Sequence, residues 1–278
     1  MDLIAFTKHF DGRSIDDLIE LAQMHGFDGY DLCVRPGYPV NPDNAAVALP
    51  DAARRCRAAG LKLPLVTGTT ELLWPDQPDA EPLLAAMDAA GVRLLKLGYF
   101  RFDPVHDDYW REVDRIRRAF EGWEALSRRY GVKICYHTHN DRCMGLNGAA
   151  LAHLIRGFDP ACIGAYLDPL HLVLEGEEFA FALAMNQPYL SAVACKDVMK
   201  TRVQHSHHGG YRIDVVPAGE GMVDWTAVFD DLRRVGYAGP LSMHCEWPVP
   251  ADQFSDTLRR ETAFFRRERE HISEHSSI

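Results

Sequence analysis

Positive charge, paired cysteines and long apolar stretches are all scarce in this chain. Lys and Arg number 30 against 40 Asp and Glu, a formal net charge of −10 over 278 residues. A surface of that sign repels phosphate backbones. No basic stripe with interleaved aromatics offsets it, so nucleic acid is not an expected partner. The Arg-rich stretches, Arg115, Arg117 and Arg118 and then Arg259, Arg260, Arg266 and Arg267, alternate with Glu and apolar residues and read as solvated helix faces. Cysteine is present seven times but never as a CxxC pair, which removes the usual disulfide and zinc-ribbon spacings. An odd, scattered set points to reduced thiols in a cytoplasmic protein. No segment approaches the ~20 apolar residues of a membrane span. The stretch Met1 to Phe6 lacks the basic region of a secretion signal. No GxGxxG follows the first strand, which removes the dinucleotide fingerprint.

What the chain does have is rhythm. Short apolar runs alternate with longer amphipathic ones. Strands are expected at 3–6, 29–34, 61–67, 92–99, 132–137, 163–167, 190–196 and 241–246. Helices are expected between them, with Ser14 as an N-cap and Gly26, Gly91 and Gly131 as C-terminal stops. A terminal helix is expected over 252–271. Eight strands alternating with eight helices imply parallel strands joined by crossover helices. The fold class is therefore α/β, a single (β/α)₈ barrel spanning 1–278 without a linker. Barrels of roughly 250 residues form one domain, and this length suits one.

Such barrels build their sites where the strands end. The last four strands end in His137-Thr138-His139, Asp168-Pro169-Leu170-His171, Cys195-Lys196-Asp197 and His244-Cys245-Glu246. Side chains alternate along a strand, so His137 and His139 share a face, as do His244 and Glu246. With His137 and His244 directed inward, two imidazoles and the Asp168 carboxylate suit one divalent ion, manganese, zinc or iron. Earlier strand ends add Lys8, Arg35, Lys96 and Tyr99 as substrate contacts, and Glu71 and Trp74 as a lid wall. A lysine in an apolar strand, as Lys96 is, demands a partner, either in an ion pair or on substrate. A long loop over 198–221 carries His205, His207 and His208, which read as a solvated segment of a lid.

Lys196-Asp197, the run from Pro217 to Trp225, the run from Gly236 to Ser242, the Asp168-x-x-His171 segment and the stretch from Gly26 to Leu32 together carry a resemblance. They resemble the sugar phosphate isomerase/epimerase family of xylose isomerase-like TIM barrels, over nearly the whole chain. The resemblance implies a divalent ion held by a Glu, an Asp, a His and a Glu from strands five to eight. Only the Asp is retained, as Asp168. His137 stands at the first Glu, Ala194 at the His and His244 at the last Glu, with Glu246 two residues on. His139 matches a family histidine two residues after the first Glu.

The expected activity is that of an isomerase or epimerase acting on a sugar or keto-sugar-like molecule by proton transfer next to a carbonyl. A lyase or dehydratase acting on keto-sugars and a non-catalytic sugar-binding barrel are the alternatives. The DNA-cleaving branch of the superfamily is disfavoured by charge and by the altered ligands. Proton abstraction needs a base near neutral pKa and a cation at the developing enolate oxygen. Glu246, His139 and His171 are the candidate bases, Glu246 through a pKa raised by burial. Lys196 or a metal is the cation. Expected partners are a small-molecule substrate and, through self-association, further copies in a homo-oligomer, with no membrane involved.

Overall fold

The computed structural model describes residues 1–203 and 210–271. Eight parallel strands close into a barrel. They are β1 (Asp2–Phe6), β2 (Gly29–Cys33), β3 (Lys62–Thr67), β4 (Leu94–Lys96), β5 (Lys133–His137), β6 (Ile163–Leu167), β7 (Leu190–Cys195) and β10 (Pro240–Met243). Around the circle the order is β1, β10, β7, β6, β5, β4, β3, β2, so each strand lies beside its neighbour in sequence and the last returns to the first. Nine α-helices are found among the described residues: α1 (Ile15–His25), α2 (Ala45–Ala58), α3 (Ala80–Ala90), α4 (Tyr109–Tyr130), α5 (Gly148–Ile155), α6 (Pro169–Leu174), α7 (Phe179–Asn186), α8 (Trp225–Arg234) and α9 (Phe254–Glu270). None is long and apolar enough to cross a membrane.

Local chemistry sets these boundaries. Ser14 accepts from the Asp17 amide while the Asp17 carboxylate accepts from the Ser14 amide, a reciprocal cap for α1. Gly26, Gly91 and Gly131 end α1, α3 and α4 with positive φ, the left-handed turn that costs glycine least. In α4 the apolar spacing Val113, Ile116, Phe120, Trp123 buries one stripe against the sheet. Fully burying each such side chain contributes ~1.5–3 kcal/mol. The main core fills the layer between sheet and helices. A smaller cluster of Ile4, Leu65, Cys135, Tyr166, Ala192 and Ala194 is separate from it. Its members belong to strands spread around the closed sheet, as expected of a plug filling the barrel interior.

Two stretches depart from the sequence expectation. The loop expected over 198–221 is largely an antiparallel hairpin of β8 (Asp197–Val203) and β9 (Gly210–Val216). Val198, Val203, Tyr211, Ile213 and Val215 provide the β-branched and aromatic residues that favour strands. His205, His207 and His208 lie outside the described residues. The second departure is α6, a short helix on the Asp168-Pro169 segment. Its signals are an N-cap aspartate and a proline at the first helical position.

Candidate active site

Strand alternation stacks the inward rows. Above the apolar plug, β5 continues from Cys135 to His137, β6 from Tyr166 to Asp168, and β7 from Ala194 to Lys196. Asp168 is fully buried, and every oxygen of its carboxylate is engaged. Leu170 N donates to Oδ1 at 3.0 Å as the cap of α6. His137 Nε2 donates to Oδ2 at 3.0 Å, and Lys196 Nζ lies 3.1 Å from the same oxygen. Burial acts to raise the Asp168 pKa, but Lys196 and the neighbouring imidazoles outweigh it and hold the carboxyl below its ordinary value.

Lys196 faces three acceptors. Its Nζ lies 2.9 Å from His171 Nε2, 3.1 Å from Asp168 Oδ2 and 3.3 Å from Glu246 Oε2. Burial opposes its charge, but Asp168 and Glu246 win and the pKa rises. Lys196 is therefore a fixed cation. Glu246 also accepts from Lys8 Nζ at 2.8 Å. The sequence expectation of a raised Glu246 pKa is corrected here. Burial does act upward, but Lys196, His244 and Lys8 pull the carboxyl well below its ordinary value, leaving a weak base.

The histidines are neutral. Burial first, and Lys196 among the nearby positive groups, lowers His244 to about 3. Burial likewise takes His139 down to about 4, and it holds His137 and His171 well below their ordinary value. His139 Nδ1 donates to Asn140 O at 2.9 Å, which leaves Nε2 as its acceptor. The His139 and His171 rings lie 4.0 Å apart. His171 Nε2 accepts from Lys196, and its Nδ1 is buried without a partner among the described residues. Tyr99 donates to His137 Nδ1 at 2.8 Å, and the Lys96 ammonium sits 4.1 Å from the Tyr99 ring centre.

Lys96 contrasts with Lys196. Burial, then Arg35 and Lys196, lowers it to about 7, against the raising effect of Asp31 and Cys33. Asp31 is itself buried and pushed up to about 6, and accepts from Thr67 at 2.7 Å and Ser242 at 3.1 Å. Arg35 spends its Nε on Gly68 O at 2.9 Å, and no carboxylate among the described residues pairs with it.

These groups surround one cavity of about 270 Å³. Lys8, Arg35, Lys96, Tyr99, His139, His171, Lys196, His244 and Glu246 line it, so the expected catalytic and substrate-contacting residues meet in one place. That volume lies just under the ~300–1,000 Å³ of drug-sized ligand sites, a scale for a monosaccharide. Sequence reasoning missed several contributors, Thr70 among them. Ile213 and Val215 bring the hairpin onto the cavity, and Leu170 and Leu174 bring α6. Tyr166 was missed too: its hydroxyl hydrogen-bonds His244 Nε2 at 2.9 Å and Asp31 Oδ2 at 3.4 Å. Its position two residues before Asp168 was the available signal. Glu71 borders an adjoining cleft with Lys8 and Arg35. Trp74 packs against Phe100 and Arg115 and is plain loop packing. Cys245 carries a positive φ of 50° between His244 and Glu246. Strained backbone of this kind is typical of functional sites.

The motif that began at Lys196-Asp197 divides into two jobs. Lys196 serves the cavity. Asp197 is buried and accepts from the amides of Val198, Gly219, Gly221 and Val223 and from Trp225 Nε1, at 2.8 to 3.3 Å. It fastens the hairpin exit to α8. A Cβ on Gly221 would lie 2.1 Å from Asp197 Oδ1, so only glycine allows this approach.

The divalent ion expected at His137, Asp168 and His244 does not suit the donors present. His137 uses both ring nitrogens, His244 Nε2 is bonded to Tyr166, and an ammonium stands against the Asp168 oxygen. Among the described residues, no three or more His, Cys, Asp or Glu side chains are arranged to hold a metal.

Known proteins share this architecture. A protein called inosose dehydratase from Lacticaseibacillus casei is 26% identical over 162 residues, covering 55% of this chain and 53% of that one. Inosose dehydratase 1 of Bacillus cereus is 24% identical over 181 residues, 60% and 57% of the two chains. The chain thus spans about half the length of the curated relatives it matches. Among solved structures, the 3-keto-D-glucoside 4-epimerase of E. coli superposes with a TM-score of 0.72 at 17% identity, over 96% of this chain and 99% of that one. The IolI protein, solved with a bound zinc atom, gives 0.75 at 16% identity over 98% and 100%. The model of the xylose isomerase-like TIM barrel matches residues 19–268, and the chain belongs to that family.

Proposed function

We propose that the chain is an enzyme that moves a proton at the carbon beside a carbonyl in a small polyhydroxylated ketone, as a sugar isomerase or epimerase. One observation carries this reading: two buried lysines in contrasting surroundings face one cavity, Lys196 between two carboxylates and Lys96 with no carboxylate in ion-pair contact among the described residues. Lys196 is held cationic by two carboxylates, whereas Lys96 is lowered to about 7. A base with a pKa near ambient pH is the efficient one for proton transfer. A fixed charge in a site screened from water favours the enolate that forms when the proton leaves.

In this scheme Lys96, in its neutral form, takes the proton from carbon. The C–H electron pair moves into the new C=C bond, and the carbonyl π pair moves to oxygen. Return of a proton to the other face of the same carbon restores the carbonyl and gives the epimer. Return to the former carbonyl carbon gives the isomer, the hydroxyl on the deprotonated carbon passing its proton to the former carbonyl oxygen as its own C=O forms. The Arg35 guanidinium and Lys8 hold substrate oxygens, and Tyr99 offers its ring, because its hydroxyl is spent on His137. His139 and His171, both neutral, act as hydrogen-bonding groups rather than strong bases. The seven free, buried cysteines suit a reducing compartment such as the cytoplasm.

A dehydratase is the second reading, and the inosose dehydratases among the relatives favour it. It begins with the same proton abstraction and ends with loss of a neighbouring hydroxyl as water. The test is NMR in D₂O on a panel of ketoses, inososes and 3-keto-glucosides. Deuterium entering beside the carbonyl supports the proposal. Exchange with a new epimer or isomer selects the first reading, and exchange with an unsaturated product selects the second. Stoichiometric binding without exchange on any member overturns both in favour of a sugar-binding barrel.

A further inference from the structure

We propose that the Lys196 ammonium occupies the place the family gives to a divalent ion, making this chain a metal-independent member. The inference concerns the same cavity as the function proposed above, but its test reads metal binding alone, so the two can fail separately.

Placement supports it first. The resemblance puts an imidazole ligand at position 194, where the chain has a buried alanine inside the barrel. Two residues further on, on the same face, Lys196 delivers a cation. Its three N–H groups meet three acceptors, on His171, Asp168 and Glu246, at 2.9, 3.1 and 3.3 Å. That is the full donor capacity of an ammonium, and its partners converge on it from the ends of two strands, Asp168 and His171 after β6 and Glu246 after β10.

Charge supports it second. A divalent ion among three carboxylates and a neutral imidazole leaves one net negative charge. Among the buried groups, the Lys196 ammonium between Asp168 and Glu246 leaves the same, with the exposed Lys8 at the rim completing the neutralisation of Glu246. Replacement of two family carboxylates by His137 and His244 fits the exchange of a dication for a monocation, since unchanged carboxylates would strand buried negative charge. The remaining lone pairs are spent within the protein: Asp168 Oδ2 accepts from His137 Nε2, and Tyr99 donates to His137 Nδ1.

The experiment uses protein free of any histidine tag, stripped with a chelator and titrated with Mn²⁺ under EPR detection. The wild type is expected to show no site tighter than ~1 µM. Lys196→Ala removes the ammonium and leaves a histidine and two carboxylates around its former position, a ligand set manganese accepts. That variant is expected to gain one Mn²⁺ per chain and a higher Tm with Mn²⁺, and to lose both in K196A/D168N. A wild-type site of one Mn²⁺ per chain, abolished by Asp168→Asn, overturns the proposal. So does a K196A protein with native circular dichroism that gains none. The wild-type titration decides by itself if K196A fails to fold.

Discussion

Separating Asp168 from Lys196 measures how far the buried charges depend on one another. Asp168→Asn leaves the Lys196 ammonium with Glu246 as its one carboxylate partner among the described residues, beside the neutral His171, and Lys196→Met leaves a buried carboxylate supported by His137 and one amide. Removing one member of a buried pair costs ~3–5 kcal/mol. At ~2–4 °C per kcal/mol for a domain near this size, each single change lowers Tm by roughly 6–20 °C. The double variant D168N/K196M strands neither charge, so its loss falls short of the sum of the singles by ~2–3 kcal/mol. Thermal melts and urea titrations followed by circular dichroism give all four corners of the cycle. The signs also fix the pH window. The Asp168 pKa is lowered, so its contribution is present above the ordinary carboxyl pKa and lost as pH falls. The Lys196 pKa is raised, so its contribution is present below the ordinary lysine pKa and lost as pH rises through the raised value. The coupling should therefore be flat between about pH 6 and 9 and fade in acid. A coupling under ~0.5 kcal/mol at pH 7 would show two independent charges and refute the reasoning.

Three further changes test the frame around the site. Glu261, buried in α9 and accepting from Ala218 N, is raised from 4.5 to about 7 by burial. Native protein therefore loses stability as pH rises from 4.5 through 7, so Glu261→Gln should melt higher than wild type at pH 8, by up to ~3 kcal/mol, and little differently at pH 4.5. Asp197→Ala leaves four amides and an indole N–H without their acceptor; at ~1–3 kcal/mol per buried group, a loss of ~4 kcal/mol or more is expected in urea titration, with the hairpin amides exchanging faster. Gly29→Ala places a Cβ 1.9 Å from the Lys62 carbonyl oxygen. That backbone clash between β2 and β3 should cost ~3 kcal/mol or more, read as a fall in Tm.

The barrel was legible because its signals are local and repeated. Alternating apolar runs, Gly26, Gly91 and Gly131 as helix stops, and Ser14 with Asp17 as a cap need no tertiary knowledge. The hairpin was not, because two half-exposed strands with many polar residues resemble a loop until they are seen paired. At the site, the grouping of His137, Asp168, Lys196 and Glu246 was legible, since strand alternation brings these strand-end residues together at one end of the barrel. Their charge states were not legible. Whether Glu246 is raised or lowered depends on Lys196 and Lys8, which lie 50 and 238 residues away in sequence. Lys96 and Lys196 look alike in sequence as well. Only the carboxylates within 3.3 Å of Lys196 separate the fixed cation from the titrating amine.

The pH dependence of solvent-deuterium exchange into a responsive ketose, in wild type and Lys96→Met, tests the central claim most directly. With the neutral Lys96 amine proposed as the base, the wild-type rate should rise through about pH 7 and level off above it, and the variant should lose the exchange by ~10²–10⁴-fold while its Tm stays within a few degrees. A Lys96→Met protein that retains both the rate and the rise near pH 7 would contradict the account.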